Sequence, residues 1–368
     1  MSSENFLFFK KLYEEYKKFS KDFLIENYRY WIGSKKMRRY KLEEASKFRV
    51  ETFFSFLDII RFLYYYGDII KVIRKYNDDV WFGYEILKFL LEKNLVKVSG
   101  NKIIFIDSYG DFFIKPISDL TILKKLRKSV KRKINLNKPL VYNFNPHSKF
   151  KWKSKYDQIP ITTKSAIFIL SKISYYFPAR LNFAFVGDDD FLSVAFNLIF
   201  NSNTFSIDKD KFVISEIDKI CSKFGAKVIT LEHDIRKLKK IDTFYGCYTN
   251  PPYNISGSLK FVRFSTNLLS KDGGAIFLIL GSDAIKRRGV FFQKEISNYG
   301  LILRELTPSI ISYEFNPHHK EDVIIQKKMK SIGIKIEKKE TMFAAFYVLE
   351  YVGKFRNFKL PSGIYSYV

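Results

Sequence analysis

The chain shows two hydrophobic periodicities, and the pattern changes near residue 156. In the first third, "FFSFLDIIRFLYYYG" repeats apolar residues every three or four positions, which predicts helices. Further on, "VKVSGNKIIFI" alternates around Ser99, Gly100 and Asn101, which is typical of a β-hairpin. Helices followed by such a hairpin predict a winged helix. That motif binds DNA in some proteins and serves packing or dimerisation in others, and we favour the packing role here.

A basic, proline-spaced segment lies between the two patterns. It reads "KRKINLNKPLVYNFNPHSKFKWKSK", and such a composition is typical of a connection between domains. We therefore predict a helical and winged-helix-like domain at 1–135, a basic linker at 136–155 and a catalytic domain at 156–368.

Beyond the linker, strand patterns alternate with helix patterns. The predicted strands are "LNFAFV", "NTFSID", "KVITLEHD", "IDTFYGCYTN" and "GGAIFLIL". We expect a threonine cap to open the helix at "ITTKSAIF", and Gly225 to close a later one. This alternation predicts an α/β, Rossmann-type, methyltransferase-like domain that binds its ligand at the carboxyl ends of the strands. Late alternating segments, such as "TMFAAFYVLEYV", suit an antiparallel edge of the same sheet.

Acidic residues follow the predicted strands at their carboxyl ends. The run "GDDD", Gly187 to Asp190, follows the first strand, Asp208 the second and Asp234 the third. A carboxylate after the second strand is placed to accept hydrogen bonds from ribose hydroxyls, and one after the third can accept from an adenine amino group. This order of acids is the one that an S-adenosyl nucleotide needs.

The loop "NPPY" is the most specific motif of the chain. Pro251 and Pro252 stiffen the backbone and lack N–H groups, so carbonyls and the Asn250 side chain can face an amine as acceptors. Tyr253 adds a flat aromatic face. Methyltransferases that act on planar exocyclic amines grip the target nitrogen with a loop of this kind. A plain proline turn would explain the prolines but not the flanking Asn and Tyr, so we favour an amine-binding loop.

The three consecutive carboxylates Asp188, Asp189 and Asp190 fit a methyltransferase poorly. Those enzymes usually have a glycine-rich turn after the first strand, which lets the backbone approach the methionine part of S-adenosylmethionine, whereas only Gly187 is present here. Grouped acids would repel the carboxylate of that methionine part. The cluster instead favours a cofactor that lacks this carboxylate and a substrate that carries several ammonium groups.

Composition narrows the class of protein. Hydrophobic residues make up 46% of the 368 residues and aromatic residues 18%, which argues against disorder. No apolar stretch has the length of a bilayer span, and the first residues lack the apolar core of a signal peptide. We therefore expect a cytoplasmic protein with no membrane partner. With two cysteines and four histidines, we expect neither a disulfide framework nor a metal site.

The net charge of +26 has two interpretations. It can provide a basic surface for a nucleic-acid partner, or it can be a lysine-rich solvated surface that compositional bias produces. Because basic residues are spread from "KKMRRYK" to "KIEKKE" rather than gathered in one stripe, both interpretations stay open.

Taken together, these motifs resemble those of the archaeal and thermophilic branched-chain polyamine synthases, also called bis(aminopropyl)spermidine synthases. The resembling segments are "YDQIPITTKSA", "FVGDDDFLSVA", "SIDKD", "EHDIRK" and "TNPPYN". The family likewise joins a winged-helix-like amino-terminal domain to a Rossmann-type catalytic domain, so the resemblance covers most of the chain. At two positions the chain departs from it: the family more often has Asp at the position of Asn250, and an additional acid at that of Ser206.

The resemblance implies transfer of aminopropyl groups from decarboxylated S-adenosylmethionine, the co-substrate, to the secondary amine of spermidine. It further implies that Asp189 or Asp190 acts as the base and that Asp188 helps to bind the amine. By the same resemblance, the side of the site that binds the nucleophile would be lined by Asn250, Pro251, Pro252 and Tyr253. The co-substrate would be held by Gly187, Asp208 and Asp234, and Gln158 would close over it. We also expect a homodimer.

Two other functions stay open. A methyltransferase acting on exocyclic amines of DNA or RNA is favoured by the net charge and by Asn250 in "NPPY", whereas "GDDD" opposes it. A nucleic-acid-binding protein would use the winged helix and would have lost catalytic activity. Heparin binding that weakens steeply with salt would favour either of these.

Overall fold

The computed structural model describes residues 3–27, 50, 52–76, 80–146, 148, 153, 158–237, 241–281, 288–313, 320–331, 333 and 343–353. Part of the predicted linker, residues 147, 149–152, 154 and 155, lies outside this set. So do residues 156 and 157 of the predicted catalytic domain and its last part, 354–368. The chain divides into two compact units, and the division falls between Lys115 and Pro116.

The first unit consists of helices followed by a β-hairpin. Its elements are α1 (Ser3–Asn27), α2 (Phe53–Tyr66), α3 (Ile69–Tyr76), α4 (Val80–Glu92), β1 (Val96–Ser99) and β2 (Lys102–Phe105). The two strands pair antiparallel, and the turn between them includes Gly100 in the left-handed region at φ +58°. The predicted hairpin is therefore confirmed, whereas the winged helix stays a prediction.

Helix α2 is the most buried element of this unit, since every residue from 53 to 63 is buried. The Thr52 side chain caps its first turn by accepting a hydrogen bond from the N–H of Ser55 at 3.0 Å. Gly67, at φ +57°, ends it with a hydrogen bond from its own N–H to the Leu63 carbonyl. Short polar caps thus set the length of a helix whose middle is almost entirely apolar.

The second unit alternates helices and strands. Its elements are α5 (Asp119–Val130), α6 (Leu140–Phe144), α7 (Thr163–Tyr176), β3 (Phe183–Val186), α8 (Leu192–Phe200), β4 (Thr204–Asp208), α9 (Lys211–Phe224), β5 (Val228–Glu232), β6 (Gly246–Thr249), α10 (Ile255–Leu268), β7 (Gly274–Leu280), α11 (Gly289–Asn298), β8 (Leu301–Ser312), α12 (Lys320–Ser331) and β9 (Phe343–Tyr351). Among the described residues, no helix is long and apolar enough to cross a membrane. The predicted caps of α7 and α9, by Thr162 and Gly225, are both confirmed.

The second unit begins ahead of the predicted linker. Leu140, Val141 and Phe144 of α6 are buried. The N–H of Thr163, at the start of α7, donates to the carbonyl of Lys138 at 2.9 Å. The described part of 136–155 up to residue 146 is therefore packed in the second unit rather than forming a free connection. The many basic residues of this segment led to its prediction as a linker, although it also contains the apolar residues that α6 buries.

Seven strands form one sheet in the order β5-β4-β3-β6-β7-β9-β8. The strands from β5 to β7 are parallel, and β9 runs antiparallel to both of its neighbours. This mixed sheet with helices between its strands confirms the predicted α/β, Rossmann-type class. The predicted antiparallel edge of the sheet, formed by late segments such as "TMFAAFYVLEYV", is confirmed, because β9 and β8 are the last two strands and pair antiparallel. Within this edge β9 pairs on both sides and is buried over nearly its whole length, and β8 is the outermost strand.

Helices cover both faces of this sheet, and β3 shows why its sequence is apolar throughout. Phe183 and Phe185 point to one face and contact Phe196 of α8, with ring centroids 4.7 and 5.5 Å apart. Ala184 and Val186 point to the other face, into a core that α10 and α11 close. Because both faces are buried, β3 has no polar position before its carboxyl end.

Candidate active site

The motifs "GDDD" and "NPPY" meet where the strand order of the sheet reverses. From β3 the chain continues to β4 on one side, while β6 leads to β7 on the other. β3 and β6 pair directly, with Val186 opposite Thr249, and the Thr249 hydroxyl donates to the Val186 carbonyl at 2.9 Å. In doubly wound sheets, ligands bind outside the carboxyl ends of the strands at this point. Both motifs therefore border the position where a ligand is expected.

The "GDDD" turn has an unusual backbone at both ends. Gly187 has a φ of +72°, and a side chain there would also bring its Cβ to 3.1 Å from Cε1 of Phe261. Phe191 has a φ of +58° although it is not glycine, and its side chain is fully buried. Such a conformation costs on the order of 1–3 kcal/mol and persists where surrounding packing imposes it. The turn is held in one shape by its packing.

Asp188 points into the protein and does not line the cavity of the site. Its Oδ1 accepts hydrogen bonds from the N–H groups of Leu192 and Ser193, at 3.0 and 3.3 Å, so it holds the start of α8. Burial raises the pKa of its carboxyl to about 7, although the Ser193 and Ser206 side chains oppose this. The geometry gives Asp188 a capping role, which differs from the amine contact expected from the sequence.

Asp190 is surrounded by hydrogen-bond donors. Its Oδ1 accepts from the N–H of Ile161 at 2.9 Å, and its Oδ2 accepts from the Tyr248 hydroxyl at 2.7 Å and from Nδ2 of Asn250 at 3.2 Å. Burial raises the pKa of this carboxyl, while these same donors oppose the increase by stabilising the charged form. Asp190 thus accepts hydrogen bonds from three donors that lie outside the "GDDD" turn.

Among the three aspartates of the run, Asp189 lines the cavity. Burial raises its pKa well above the ordinary value, and the charges of Asp190, Asp208 and Asp188 raise it further. A carboxyl group with a raised pKa that borders a cavity has the properties of a general acid or base.

Asn250 of "NPPY" connects the carboxylates to two tyrosines. Its Oδ1 accepts hydrogen bonds from the hydroxyls of Tyr253 and Tyr313, each at 3.2 Å, while its Nδ2 donates to Asp190. The tyrosine rings meet edge to face, with centroids 5.9 Å apart. This network fixes the orientation of the amide, because the oxygen must face the hydroxyls and the nitrogen must face the carboxylate.

Tyr248 and Tyr313 also belong to this network, although neither was predicted from the sequence. Tyr248 lies two residues before Asn250 in an extended segment, so alternation places both side chains on the same face of the sheet. That signal was available. Tyr313 directly follows β8, far away along the chain, and only tertiary structure brings it to Asn250. The remaining predicted residues of the loop differ in position: Pro252 lines the cavity, whereas Pro251 is buried beside it.

Asp208 lies at the end of β4 on the cavity wall, as predicted. Its Oδ1 accepts from the N–H of Asp210 at 2.7 Å and its Oδ2 from the N–H of Asp188 at 3.1 Å. Burial raises the pKa of this carboxyl to about 6. The bond to Asp188 also ties the second strand end to the "GDDD" turn.

Asp234 lies further along the same wall, and its charge is matched by two cations. It accepts hydrogen bonds from Arg236 and forms an ion pair with Lys209 at 3.0 Å. The hydrogen bonds from Arg236 hold its pKa below the ordinary range. The sequence analysis did not identify either cation as part of the site.

Gln158 borders the cavity near the start of α9. Its Oε1 accepts from the N–H of Lys153 at 2.8 Å, and its Nε2 donates to Oδ2 of Asp210 at 3.3 Å. Asp210 in turn caps α9 by accepting from the N–H of Phe212. The amide is therefore fixed at both ends in the position that the sequence analysis assigned to the cofactor side.

One cavity of about 350 Å³ connects these groups. It combines carboxylate and amide side chains with cations and an aromatic ring. Its described lining is Gln158, Gly187, Asp189, Ile207, Asp208, Lys209, His233, Asp234, Ile235, Arg236, Asn250, Pro252, Gly257, Lys260 and Phe261. Within the described part of the chain, no group of three or more His, Cys, Asp and Glu side chains could hold a metal ion.

Comparison with known sequences identifies a family and one distant relative. A sequence model of the branched-chain polyamine synthase A C-terminal domain matches residues 148–363. An uncharacterized protein of Methanocaldococcus jannaschii is 32% identical over 134 residues, which are 35% of this chain and 34% of that protein. The match thus spans about a third of the length of this curated relative.

Solved structures of similar fold come from two enzyme groups. One is the branched-chain polyamine synthase of Thermus thermophilus in complex with N4-aminopropylspermidine and 5'-methylthioadenosine, at 16% identity and a TM-score of 0.48 over 80% of this chain and 87% of that chain. Another is an S-adenosylmethionine-dependent methyltransferase of Clostridium acetobutylicum, at 13% identity and a TM-score of 0.36 over 58% and 97% of the two chains. At these identities the likeness concerns the fold and not the reaction.

The buried carboxyl groups predict how the stability of the ligand-free protein depends on pH. The pKa values of Asp188 and Asp208 are raised to about 7 and about 6, so between pH 5 and 8 the folded protein binds protons that the unfolded chain has already lost. Stability should therefore decrease as the pH rises through this range, by about 2 kcal/mol for the Asp188 carboxyl.

Urea unfolding of the wild type and Asp188→Asn at pH 5, 6, 7 and 8 measures this dependence. Asp188→Asn should reduce the decrease, because an amide keeps an oxygen acceptor for α8 without a titrating proton. The exposed control Asp242→Asn should behave as the wild type does. Equal pH dependence in all three proteins would contradict the role given to Asp188.

Proposed function

Because the chain belongs to the branched-chain polyamine synthase family and is a transferase, we propose that it moves aminopropyl groups from decarboxylated S-adenosylmethionine to the secondary amine of spermidine or a related polyamine. The products are a branched-chain polyamine and methylthioadenosine. The observation that carries this proposal is a cluster of buried carboxyl groups at the carboxyl ends of β3 and β4. Its members are Asp188, Asp189, Asp190 and Asp208.

A polyamine has the charge that this cluster requires. Burial raises the pKa values of all four carboxyl groups, and neighbouring carboxylates of the cluster raise those of Asp189 and Asp188 further. A polyamine brings ammonium groups that favour the ionised carboxylates. A co-substrate without a carboxylate suits the same cavity, because it adds no further negative charge.

Removal of a proton from the acceptor is the first chemical requirement. A secondary ammonium has no lone pair for attack, so a base must bind the cation, take a proton and hold the neutral nitrogen in place. Asp189 fits this role, since it lines the cavity and has a raised pKa. The raised pKa of Asp189 is closer to neutral pH than that of an ordinary aspartate, which suits a base that works near neutral pH.

Asp190 supports this base through its negative charge. The donors Tyr248, Asn250 and the N–H of Ile161 favour its charged form, so its negative charge is available to stabilise the bound ammonium and the proton on Asp189. The charge of Asp190 in turn raises the pKa of Asp189, whose own burial is the larger cause.

The transfer itself is a substitution at the carbon next to the sulfonium. The lone pair of the deprotonated nitrogen forms the new N–C bond, and the electrons of the breaking C–S bond return to sulfur, which leaves as methylthioadenosine. The acceptor nitrogen keeps its remaining hydrogen and becomes a tertiary ammonium, so the positive charge passes from sulfur to nitrogen as the C–S bond breaks. The protein contributes proton removal and alignment.

The other wall of the cavity suits the nucleoside part. Asp208 follows β4, where a carboxylate accepts hydrogen bonds from ribose hydroxyls, and Asp234 follows β5, where it can accept from the adenine amino group. His233 adds an imidazole that stacks on Phe264, and its buried Nε2 has no partner among the described residues. Gln158 closes the same side of the cavity, and Gly187 leaves room for the ligand next to the turn.

The "NPPY" loop forms the acceptor's side. The tyrosines Tyr253 and Tyr313 fix Asn250, and Asn250 fixes Asp190, so this loop positions the carboxylate pair relative to the acceptor. Pro252 narrows the cavity, while Pro251 holds the backbone behind it. Asn250 and Tyr253 are thus positioning residues in this proposal, and Asp189 is the catalytic one.

The first experiment identifies both ligands and product. Calorimetry should show that methylthioadenosine together with spermidine binds more tightly than S-adenosylhomocysteine, because the acidic cavity disfavours a ligand carboxylate. Mass spectrometry of spermidine incubated with decarboxylated S-adenosylmethionine should show products heavier by aminopropyl units. Preference for S-adenosylhomocysteine and no polyamine product would instead indicate a methyltransferase.

Substitution of the carboxylate pair tests the proton transfer. Asp189→Asn and Asp190→Asn should each lower kcat by about 100-fold or more, the usual contribution of a general base or its charged partner, while both variants stay folded by circular dichroism. Asp242→Asn, on the exposed surface, serves as a matched control and should keep full turnover. Full turnover in both site variants would refute the assignment.

Removal of one hydroxyl tests how Asp190 is held. Tyr248→Phe deletes a donor that lowers the pKa of Asp190, so the acidic limb of the kcat–pH profile should move to higher pH. Tyr347→Phe, which alters a buried tyrosine in the core of β9, is the control and should leave the profile in place. An unchanged kcat–pH profile for Tyr248→Phe would contradict the role of Asp190 in the reaction.

A further inference from the structure

The positive charge of this chain is not evenly distributed. Residues 120–156 contain twelve Lys and Arg and no Asp or Glu, although the whole chain has 38 acidic residues beside 64 basic ones. The densest part is "KKLRKSVKRK", residues 124–133, with seven basic residues in ten. This concentration falls on α5 and the turn after it.

Helix α5 separates its apolar and basic residues onto two faces. Ile122, Leu126 and Val130 are buried. The basic face consists of the exposed residues Lys124, Arg127 and Lys128 of the helix, with Lys131 at its C-cap; the first and the last are each three or four positions from the two between them. At a rise of about 1.5 Å per residue, this face extends for about 10 Å along the helix axis.

These cations have no carboxylate partners among the described residues, whereas other lysines of the same unit do. Between described residues, no ion pair involves a member of the basic face. By contrast, Lys172 pairs with Glu305 at 2.6 Å and Lys219 with Glu216 at 3.8 Å. Compositional bias toward lysine would enrich exposed positions in general. It does not explain a face from which acidic residues are absent.

We propose that the basic face of α5 binds the phosphate backbone of a nucleic acid. Unpaired cations in a row are electrostatically complementary to a row of phosphates, and a length of about 10 Å corresponds to about three phosphate intervals of one strand. All four side chains are Lys or Arg, so the recognition concerns phosphate charge and not base sequence.

A nucleic acid fits this face better than a membrane does. Helices that bind in a membrane interface insert an apolar face between the lipids. The apolar face of α5 is buried in the protein, since Ile122 and Leu126 are fully covered, and it is not available for insertion. The basic face of α5 can therefore bind a ligand only through its positive charge, and a polyanion provides the matching negative charge.

If the proposed function holds, binding of a nucleic acid to this surface would reduce the repulsion between the protein and a polyamine acceptor. A protein of net charge +26 repels a polycationic acceptor at long range. A bound nucleic acid would offset that charge and would also gather polyamines around its phosphates as counterions. The binding surface itself does not depend on this consequence, because the basic face exists whatever reaction the cavity catalyses.

Charge reversal on the basic face provides the test. Fluorescence anisotropy with labelled 20-base-pair DNA, duplex RNA and single-stranded RNA, from 50 to 300 mM NaCl, compares the wild type with the triple variant Lys124→Glu, Arg127→Glu, Lys128→Glu. The control variant is Lys219→Glu, Lys223→Glu, Lys271→Glu, which changes the net charge equally at exposed positions elsewhere on the second unit. The three probes show whether DNA or RNA is the preferred source of the phosphates.

The triple variant should bind at least about tenfold more weakly than the wild type at 100 mM salt, and its slope of log K against log salt should be smaller by about 2.7 for duplex DNA. The control should lose far less affinity. Replacement of the same three residues by Gln, with equal circular dichroism to the wild type, should give the same direction of change without new negative charge on the helix.

Three results would overturn the proposal. They are equal weakening in the α5 variant and the control, no nucleic-acid binding by the wild type at 100 mM salt, and preferential binding to vesicles containing anionic lipid that the α5 variant abolishes. Aminopropyl transfer by the α5 variant, measured without nucleic acid, should match that of the wild type. Failure of the transfer reaction in both proteins would refute the proposed function and leave the binding result unaffected.

Discussion

The burial of several carboxyl groups at the ends of two adjacent strands is the constraint around which this site is arranged. A buried carboxylate needs hydrogen-bond donors or positive charge, since the protein interior solvates it poorly. The backbone supplies the first donors. The N–H groups at the start of α8 bond to Asp188, and those of Asp188 and Asp210 bond to Asp208. The turn after β3 therefore has its shape partly because its own carboxyl groups require these contacts.

Side chains from distant parts of the chain supply the remaining donors. Tyr248 comes from β6, and Tyr313 acts through Asn250 from the end of β8. They surround Asp190, while Asp189 borders the cavity with a strongly raised pKa. The network thus divides two neighbouring acids by environment: one is held by donors, and the other faces the space where a cationic acceptor would bind. A difference of this kind is what acid–base chemistry requires.

The protein combines an acidic site with a basic surface. Within the cavity, Lys209 and Arg236 match the charge of Asp234, so this wall carries less negative charge than the part that Asp189 lines. Outside it, exposed lysines and arginines outnumber acids, and those of the basic face of α5 form no ion pair with a described carboxylate. At physiological ionic strength, salt screens most of the electrostatic interaction between exposed charges more than about 8 Å apart. The acidic cavity and the basic surface can therefore bind different partners.

Local patterns in the sequence determined the elements of the second unit and the motifs at their ends. The apolar run of β3 predicts a strand buried on both faces, the "GDDD" and "NPPY" motifs identify two strand ends, and the caps Thr162 and Gly225 mark helix ends. These features depend on residues close together in the chain, where backbone geometry and side-chain period act directly. Asp189, Asp208 and Asn250 could be placed at the site for the same reason.

Only the tertiary structure decided which distant residues complete the site. Pairing on both sides puts β9 inside the sheet, burial of α6 makes part of the predicted linker belong to the second unit, and Tyr313 reaches Asn250 across more than sixty residues. It also decided that Asp188 turns inward to α8 while Asp189 faces the cavity, although the two are adjacent and identical in type. No short-range period encodes such choices, because they depend on strand order and on the free energy of burying each polar group among residues that the fold brings together.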